Sequence, residues 1–488
     1  MGEQQVNDTL RFPTGKREIR FCVAILLIAL LLADFVIMGG FNLGFALACA
    51  GCTVCSALYL RGSKLRGYPL ALILLDLVIA LSFFRSDDGF VKFVMVCFLL
   101  FSGNLSLALL SGQNRRDPRG FLSVLDAPRA FFVMGFGGLG SALGGLNDAR
   151  KNAGEGGKKS MAVIAGLAIT LPLLAILIPL LVSADAAFEG LIQLLPKPDI
   201  AEPIQVLLFG LPLACVLYAR AVALRHSKET EHSTWTPKAA SSLTINTVLI
   251  AVNAVYLVYL VSQLAYFVGG FSGIIPEGYS VAEYARRGFF EMAWLAFLNL
   301  LIMTVSTALS KKEDGLAPRL TRVLCLLIGL MTLFIVATAS FKMFHYIGTY
   351  GLTRLRLLTE VIIMFMAISV IFVSVWLFRP KFPYMKAIVI TALIMGATVA
   401  WADVDTVVAA YNVTAYQSGQ LQTVDMGHLR SLGDGAVPYL HSLAGDANQA
   451  IARQAIRELT ERSQDQSTDI RSWNIATIIA NSILEQYR

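Results

Sequence analysis

Long apolar runs, each followed by a short polar stretch, recur along most of the chain. A hydrocarbon core about 30 Å thick is crossed by about 20 apolar residues of helix. Runs of that kind lie near 21–39, 41–60, 68–84, 90–110, 161–182, 203–224, 241–268, 289–309, 320–343, 357–378 and 385–403. They predict an all-α fold, a polytopic transmembrane helix bundle of about eleven spans. Lys16, Arg17 and Arg20 precede the first run in the manner of a signal peptide. No small-residue cleavage pattern stands out and the second run follows at once, so an uncleaved anchor is expected. Residues 1–20 then form a cytoplasmic segment, 21–403 the membrane domain and 404–488 a tail.

Basic residues collect in every second loop. Arg11, Lys16, Arg17 and Arg20 precede the first run, Arg61, Lys64 and Arg66 follow the second, and Arg115, Arg116, Arg119, Arg129, Arg150, Lys151, Lys158 and Lys159 follow the fourth. Arg225, Lys228 and Lys238 follow the sixth, Lys311, Lys312, Arg319 and Arg322 the eighth, and Arg379, Lys381 and Lys386 the tenth. The intervening loops are poor in Lys and Arg. Cytoplasmic loops carry that excess, so the N-terminus is expected inside and the C-terminus outside a plasma membrane.

Residues 130–146 (AFFVMGFGGLGSALGGL) are apolar too, within the basic loop 111–160. Counting them as a span would turn every later basic loop outward, so an interfacial or re-entrant segment is expected. Gly135, Gly137 and Gly140 spell G-x-G-x-x-G. No strand precedes them and no βαβ unit surrounds them, so they read as close packing rather than a dinucleotide site.

The tail changes character. Asp446 is placed to cap a helix carrying Ile451, Ala455 and Leu459, and a last helix would carry Trp473, Ala476, Ile479, Ile483 and Leu484. Short helices in antiparallel pairs predict a small extracytoplasmic helical-hairpin domain, solenoid-like, of a kind that binds partners. It is slightly acidic, which argues against nucleic acid.

Composition agrees with the membrane class: of 488 residues, 56% are hydrophobic and 15% charged, against about 45–50% and about 25% for soluble chains. All seven cysteines lie in apolar runs, which leaves no disulfide framework in the tail. Cys49, Cys52 and Cys55 repeat every three residues without a nearby His or carboxylate, so packing is expected rather than a metal site. The histidines are scattered and no cofactor motif stands. Ionisable groups within spans are costly. Asp34 lies near the outer edge of its run, while Asp76 sits near mid-depth as a candidate ion or proton site, or as a hydrogen bond to a neighbouring helix. Asn104, Asn246, Asn253, Gln263 and Asn299 are candidate interhelical glue. Pro172, Pro179 and Pro212 are candidate helix breaks of the kind transporters use.

The densest polar cluster falls on the predicted outer face. Ser280 and Glu283 make a capping box, and Glu283, Arg287 and Glu291 are spaced to pair along one helix face, with Arg286 beside them. Lys342, His345, Tyr346, Tyr350, Arg354, Arg356 and Glu360 surround the next outer connection, and Asp403 and Asp405 close the last span. This cluster is either a polar cavity for an anionic headgroup, glycan, peptide or other solute, or a salt-bridge network tying the last helices together.

Residues 279–291 (YSVAEYARRGFFE), 253–270 (NAVYLVYLVSQLAYFVGG), 429–440 (LRSLGDGAVPYL) and Tyr411-Asn412-Val413 resemble a group of bacterial polytopic membrane proteins catalogued as domains of unknown function 4173 and 4153. The resemblance spans about residues 240–445 and implies the fold and a bacterial plasma membrane, with no substrate or catalytic residue. The leading expectation is a non-enzymatic plasma-membrane protein, in contact with the lipid bilayer, that binds a solute or an envelope protein, glycan or lipid at its outer face for transport or sensing. One alternative is a membrane-embedded enzyme for lipid-linked or envelope substrates, using Glu283, Glu291, Asp403 or Asp405. The other is an accessory or sensor subunit acting through its tail.

Overall fold

The computed structural model describes residues 16–60, 65–85, 87–118, 120–140, 201–226, 241–271, 289–310, 316–464 and 473–488, with single positions between 166 and 185; the side chains of 201, 262–271 and 289–291 are not among them. Most of the expected span 161–182, including Pro172 and Pro179, the Ser280 capping box and the Gln263 side chain therefore lie outside the described residues. Within them every regular element is helical. Among the described residues ten helices are long and apolar enough to cross a membrane, and Tyr68–Ser82 is a shorter apolar one. The chain divides into two compact units, one of residues 1–116, 124–232 and 465–481, the other of 117–123, 233–464 and 482–488.

The first unit holds α1 (Lys16–Asp34), α2 (Leu43–Leu60), α3 (Tyr68–Ser82), α4 (Gly89–Ser111), most of α5 (Phe121–Gly140) and α6 (Ala201–His226). On α1, Phe21, Ile25, Ala29 and Ala33 are buried at four-residue spacing, while Ile19, Val23, Leu27 and Leu31 are exposed on the opposite side. An outward face as apolar as the inward one is stable only where the surrounding solvent is lipid. Pro69 stands in the first turn of α3, where a missing N–H costs nothing. Asp88 caps α4 by accepting from the Val91 N–H at 2.8 Å, and Gly112 ends it with φ of 75°.

The helices of this unit run between two chemically different ends. Gly210 of α6 lies against Leu30 of α1, while Glu18 and His226 meet at 3.5 Å, so α1 and α6 are antiparallel. At that Glu18 end, Arg17 and Arg225 each donate to the Tyr59 carbonyl at 2.7 Å, and both guanidinium groups stand near the Tyr59 ring. Two cations thus cap the negative C-terminal end of α2. At the start of α2 the tail returns. Leu43 N–H donates to the Trp473 carbonyl at 3.3 Å, Ile475 N–H donates to the Phe84 carbonyl at 2.8 Å, and Asn42 accepts from Lys92 at 2.8 Å and Asn474 at 3.3 Å. Arg17 and Trp473 therefore sit at opposite ends of one 18-residue helix, about 27 Å apart.

The segment α5, part of which is the expected interfacial or re-entrant segment, is helical over 20 residues, with a wider turn across Arg129–Phe136. It is held near one end of the unit: Arg129 donates to the Gln113 carbonyl just past α4, Gly135 packs on Val216, and Gly138 lies over the Ala219 carbonyl. A Cβ on Gly138 would stand 2.8 Å from that oxygen, so close packing accounts for this glycine. Gly137 and Gly140 face open space.

The second unit holds α7 (Ser242–Phe271), α8 (Phe289–Leu309), α9 (Leu316–Tyr350), α10 (Arg354–Phe378), α11 (Tyr384–Ala402) and α12 (Val404–Gln417), then the short α13 (Met426–Arg430) and α14 (Val437–Leu443), and α15 (Gln449–Gln464). Asparagines tie the first three together. Asn246 accepts from Thr321 at 2.7 Å and donates to the Ala317 carbonyl at 3.0 Å, and Asn253 donates to the Leu324 carbonyl at 3.2 Å. Asn299 accepts from Tyr256 at 2.5 Å and donates to Thr332 at 2.9 Å. Within lipid such bonds supply specificity that apolar contact alone lacks. With 35 residues, α9 measures about 52 Å and overhangs a hydrocarbon core by about four turns.

In the tail, Arg462 of α15 donates to the carbonyls of Arg430, Leu432 and Gly433, closing the exposed end of α13. Ala455 and Leu459 are buried as the spacing predicts. Asp446 accepts from Asn448, and Asn448 in turn accepts from Ala450 at the start of α15, so the cap is shared between two side chains. In α16 (Ile475–Leu484) the buried stripe is Ala476, Ala480 and Leu484, whereas Ile479 and Trp473 are exposed.

Candidate functional site

Helices α1, α2, α4 and α6 of the first unit surround a cavity of about 230 Å³. At about 30 Å³ per liquid water, that is room for roughly seven waters. Its walls are mostly apolar, with Thr53 and Ser56 from α2, Asn104 and Ser106 from α4, and Arg220 from α6 as the polar exceptions. Cys49 and Cys52 line it as well, three residues apart on one wall.

Arg220 is only 6% exposed. One guanidinium nitrogen donates to Asn104 Oδ1 at 3.0 Å, and Nε is buried without a partner. No carboxylate pairs with this arginine among the described residues. A buried cation held by a single neutral amide is costly, because Coulomb attraction does not offset its desolvation. An anion in the cavity would supply the missing charge.

Asp76 of α3 is fully buried. It accepts a short hydrogen bond from Ser102 of α4 through Oδ1, while Oδ2 is buried without a partner. A Cβ at Gly103 would lie 3.8 Å from Oδ2, so this glycine, itself on the cavity wall, separates carboxylate from cavity. Asp76 thus makes an interhelical hydrogen bond and keeps an orphaned oxygen beside the cavity.

The charged residues expected at the outer face are placed in the second unit, in part. Arg354, at the start of α10, grips Asp405 through both Nε and Nη2, the latter at 2.6 Å. The Gly433 N–H donates to the same carboxylate at 2.7 Å. Asp403 accepts from Thr406 at 2.6 Å, in the one non-glycine residue of positive φ, 59°, among the described residues. Aspartate tolerates that conformation, which breaks the chain between α11 and α12. Arg356 donates to the carbonyls of Gly351 and Tyr350 and lies 4.2 Å over the Tyr346 ring.

Glu360 accepts from Ser340 at 3.0 Å and keeps Oε1 buried without a partner. Lys342 is half-buried and His345 exposed on α9. Glu283, Arg286, Arg287 and the side chain of Glu291 lie outside the described residues. The structure therefore brings together Arg354, Arg356, Asp403 and Asp405, with the LGDG turn of the tail closing over them. Nearby, burial pushes the His428 imidazole below its usual pKa, against the opposing pull of Asp425.

Sequence reasoning missed Arg220. Its signal was present, since the residue falls inside the run 203–224, but Arg225 and Lys228 drew it into the basic edge of the span. Asn104 gave no hint that its partner lay 116 residues away.

The fold and these buried groups define a multi-pass, all-α membrane protein with polar sites between its helices. The chain belongs to the family described as Domain of unknown function (DUF4153), whose model matches residues 21–443. That match also takes in the first four runs, beyond the segments on which the resemblance was recognised. No curated protein and no solved structure matches the chain.

Proposed function

We propose that this chain is a bacterial plasma-membrane protein that holds a solute inside its membrane domain, for transport or sensing. The supporting observation is the buried Arg220, with no carboxylate partner among the described residues, on the wall of a half-open cavity between the helices. A cation kept in that position at a folding cost is a functional hypothesis with a physical ground. The Arg354–Asp405 pair reads better as a structural tie, because both carboxylate oxygens are engaged by the protein itself. That engagement also weakens the enzyme alternative at Asp405.

Native cysteines report on the cavity. With Cys22, Cys55, Cys97, Cys215 and Cys325 replaced by alanine, Cys49 and Cys52 in membrane vesicles are expected to react with a sulfonate-bearing methanethiosulfonate. Arg220→Gln should slow that labelling about tenfold, since it removes the attracting charge. Thiols that stay unreactive from both sides of the vesicle would mean a sealed cavity, and the solute reading would fail.

The arrangement of the first unit bears on orientation. Arg17 and Trp473 sit at opposite ends of α2, which fits an odd number of crossings between them. Counting 161–182 and Tyr68–Ser82 as spans and α5 as an inserted segment that returns gives about eleven. Counting α5 as a full crossing gives an even number. With the basic loops inside, the tail then faces outward. Alkaline phosphatase fused after Arg488 should be active and a fluorescent protein there dark. The reverse pattern would require α5 to cross.

A further inference from the structure

We propose that the cavity takes a single-chain anionic amphiphile, an alkyl carboxylate or alkyl phosphate, with its head on Arg220 and its chain along α4. This deepens the solute reading and rests on it. Three features of the cavity point the same way.

The first is shape. On α2 the lining runs from Phe45 to Ser56 and on α4 from Val96 to Leu107, about 16 Å of helix in each case. A volume of about 230 Å³ spread over that length is a narrow slot, which admits one alkyl chain at most. The second is chemical polarity. Arg220, Asn104 and Ser106 gather at one end, whereas Leu32, Phe45 and Val96 mark the other. A small hydrophilic anion would leave the apolar length empty, and an uncharged chain would leave Arg220 uncompensated.

The third is depth. Arg220 lies six residues before the end of α6 at His226, about 9 Å inside the basic end of the unit. A head bound there has its chain directed away from the basic end, as a lipid of the basic-side leaflet does. The unpartnered Nε and the single amide partner leave the guanidinium fork free to receive two oxygens of a carboxylate or phosphate.

The test uses the full chain in phosphatidylcholine nanodiscs, with straight-chain carboxylates and alkyl phosphates of increasing length, and chain-free nanodiscs as the partition control. Binding should saturate at one molecule per chain. Measured against free aqueous concentration, affinity should rise about fourfold per methylene and stop rising once the slot is full, while partition into chain-free discs keeps rising. Arg220→Gln should weaken binding at every length, on the order of 10- to 100-fold. Cys49→Phe, which narrows the slot without touching the charge, should bring the plateau to shorter chains. A stronger response to the phosphate series than to the carboxylates would identify a single-chain phospholipid as the source, and the opposite order a free fatty acid. Displacement by acetate or inorganic phosphate as good as by the long chains would overturn the amphiphile while leaving a solute site. No saturable binding of either series by a monodisperse chain would overturn the amphiphile, and the solute reading falls with it only if Cys49 and Cys52 also stay unreactive from both sides of the vesicle.

Discussion

Asp405→Ala is expected to lower the stability of the folded chain by about 3 kcal/mol, the sum of lost charge-assisted hydrogen bonds less the hydration Arg354 regains. The carboxylate is 3% exposed and receives Arg354 Nε, Arg354 Nη2 and the Gly433 N–H. Arg354 is 36% exposed, so part of its charge returns to water when the partner is removed. Gly433 has less recourse: its N–H is left facing a methyl group. The neighbouring Gly435 packs closely on the start of α12, where a Cβ would stand 2.5 Å from both Asp403 Oδ2 and Thr406 Oγ1. The midpoint for loss of the monodisperse peak on heating should fall on the order of 10 °C. Asp405→Asn, which retains one acceptor, should fall by about half as much. A midpoint unchanged in both variants would show that the pair is not what holds the LGDG turn against α12.

Asn412→Ala and Gly351→Ala should each cost about 3 kcal/mol, and together little more than either alone. Asn412 Oδ1 accepts from the Leu352 N–H at 2.7 Å, and Nδ2 donates to the Leu352 carbonyl at 2.8 Å. One carboxamide thus satisfies both backbone groups of a buried residue between α9 and α10. Truncation leaves an orphaned donor and an orphaned acceptor, at about 1–3 kcal/mol each. Gly351 acts on the same bonds from the other side. Its φ is 78°, which costs a substituted residue about 1–2 kcal/mol, and its Cβ would lie 2.5 Å from Asn412 Oδ1. Either change displaces the same amide, so the double variant should be far from additive. The same heating assay reads all three proteins. Additive losses would mean that Gly351 acts only through its backbone conformation.

The Asn412 clamp lies in the Tyr-Asn-Val run by which the family resemblance was recognised, and Gly433 and Gly435 lie in its LRSLGDGAVPYL run. The structure accounts for both by the same device, a side chain of α12 satisfying backbone elsewhere: Asn412 at Leu352 between α9 and α10, and Asp405 at Gly433 in the LGDG turn. Those motifs were visible as strings. Their purpose was not, because the partners of Asn412 and Asp405 lie 60 and 51 residues away.

Length and hydropathy alone determined that this chain is a bundle of membrane helices, since a hydrocarbon solvent leaves the backbone no other open-ended way to satisfy its hydrogen bonds. The alternation of basic loops likewise predicts opposite sides for Lys16 and the tail, which the fusions at Arg488 test. The asparagines of α7 and α8 were recognisable as ties because a polar group inside a span has few other outlets. Only the tertiary structure decided which polar groups remain unsatisfied. Asp76 finds Ser102 and keeps one oxygen bare, Arg220 finds Asn104 and no acid, and Asp405 is fully engaged. Whether a buried charge is a tie or a site depends on what stands within about 3 Å of it. In a bundle of long helices those neighbours come from elements far apart in the chain, at depths and rotations that packing sets and periodicity alone does not.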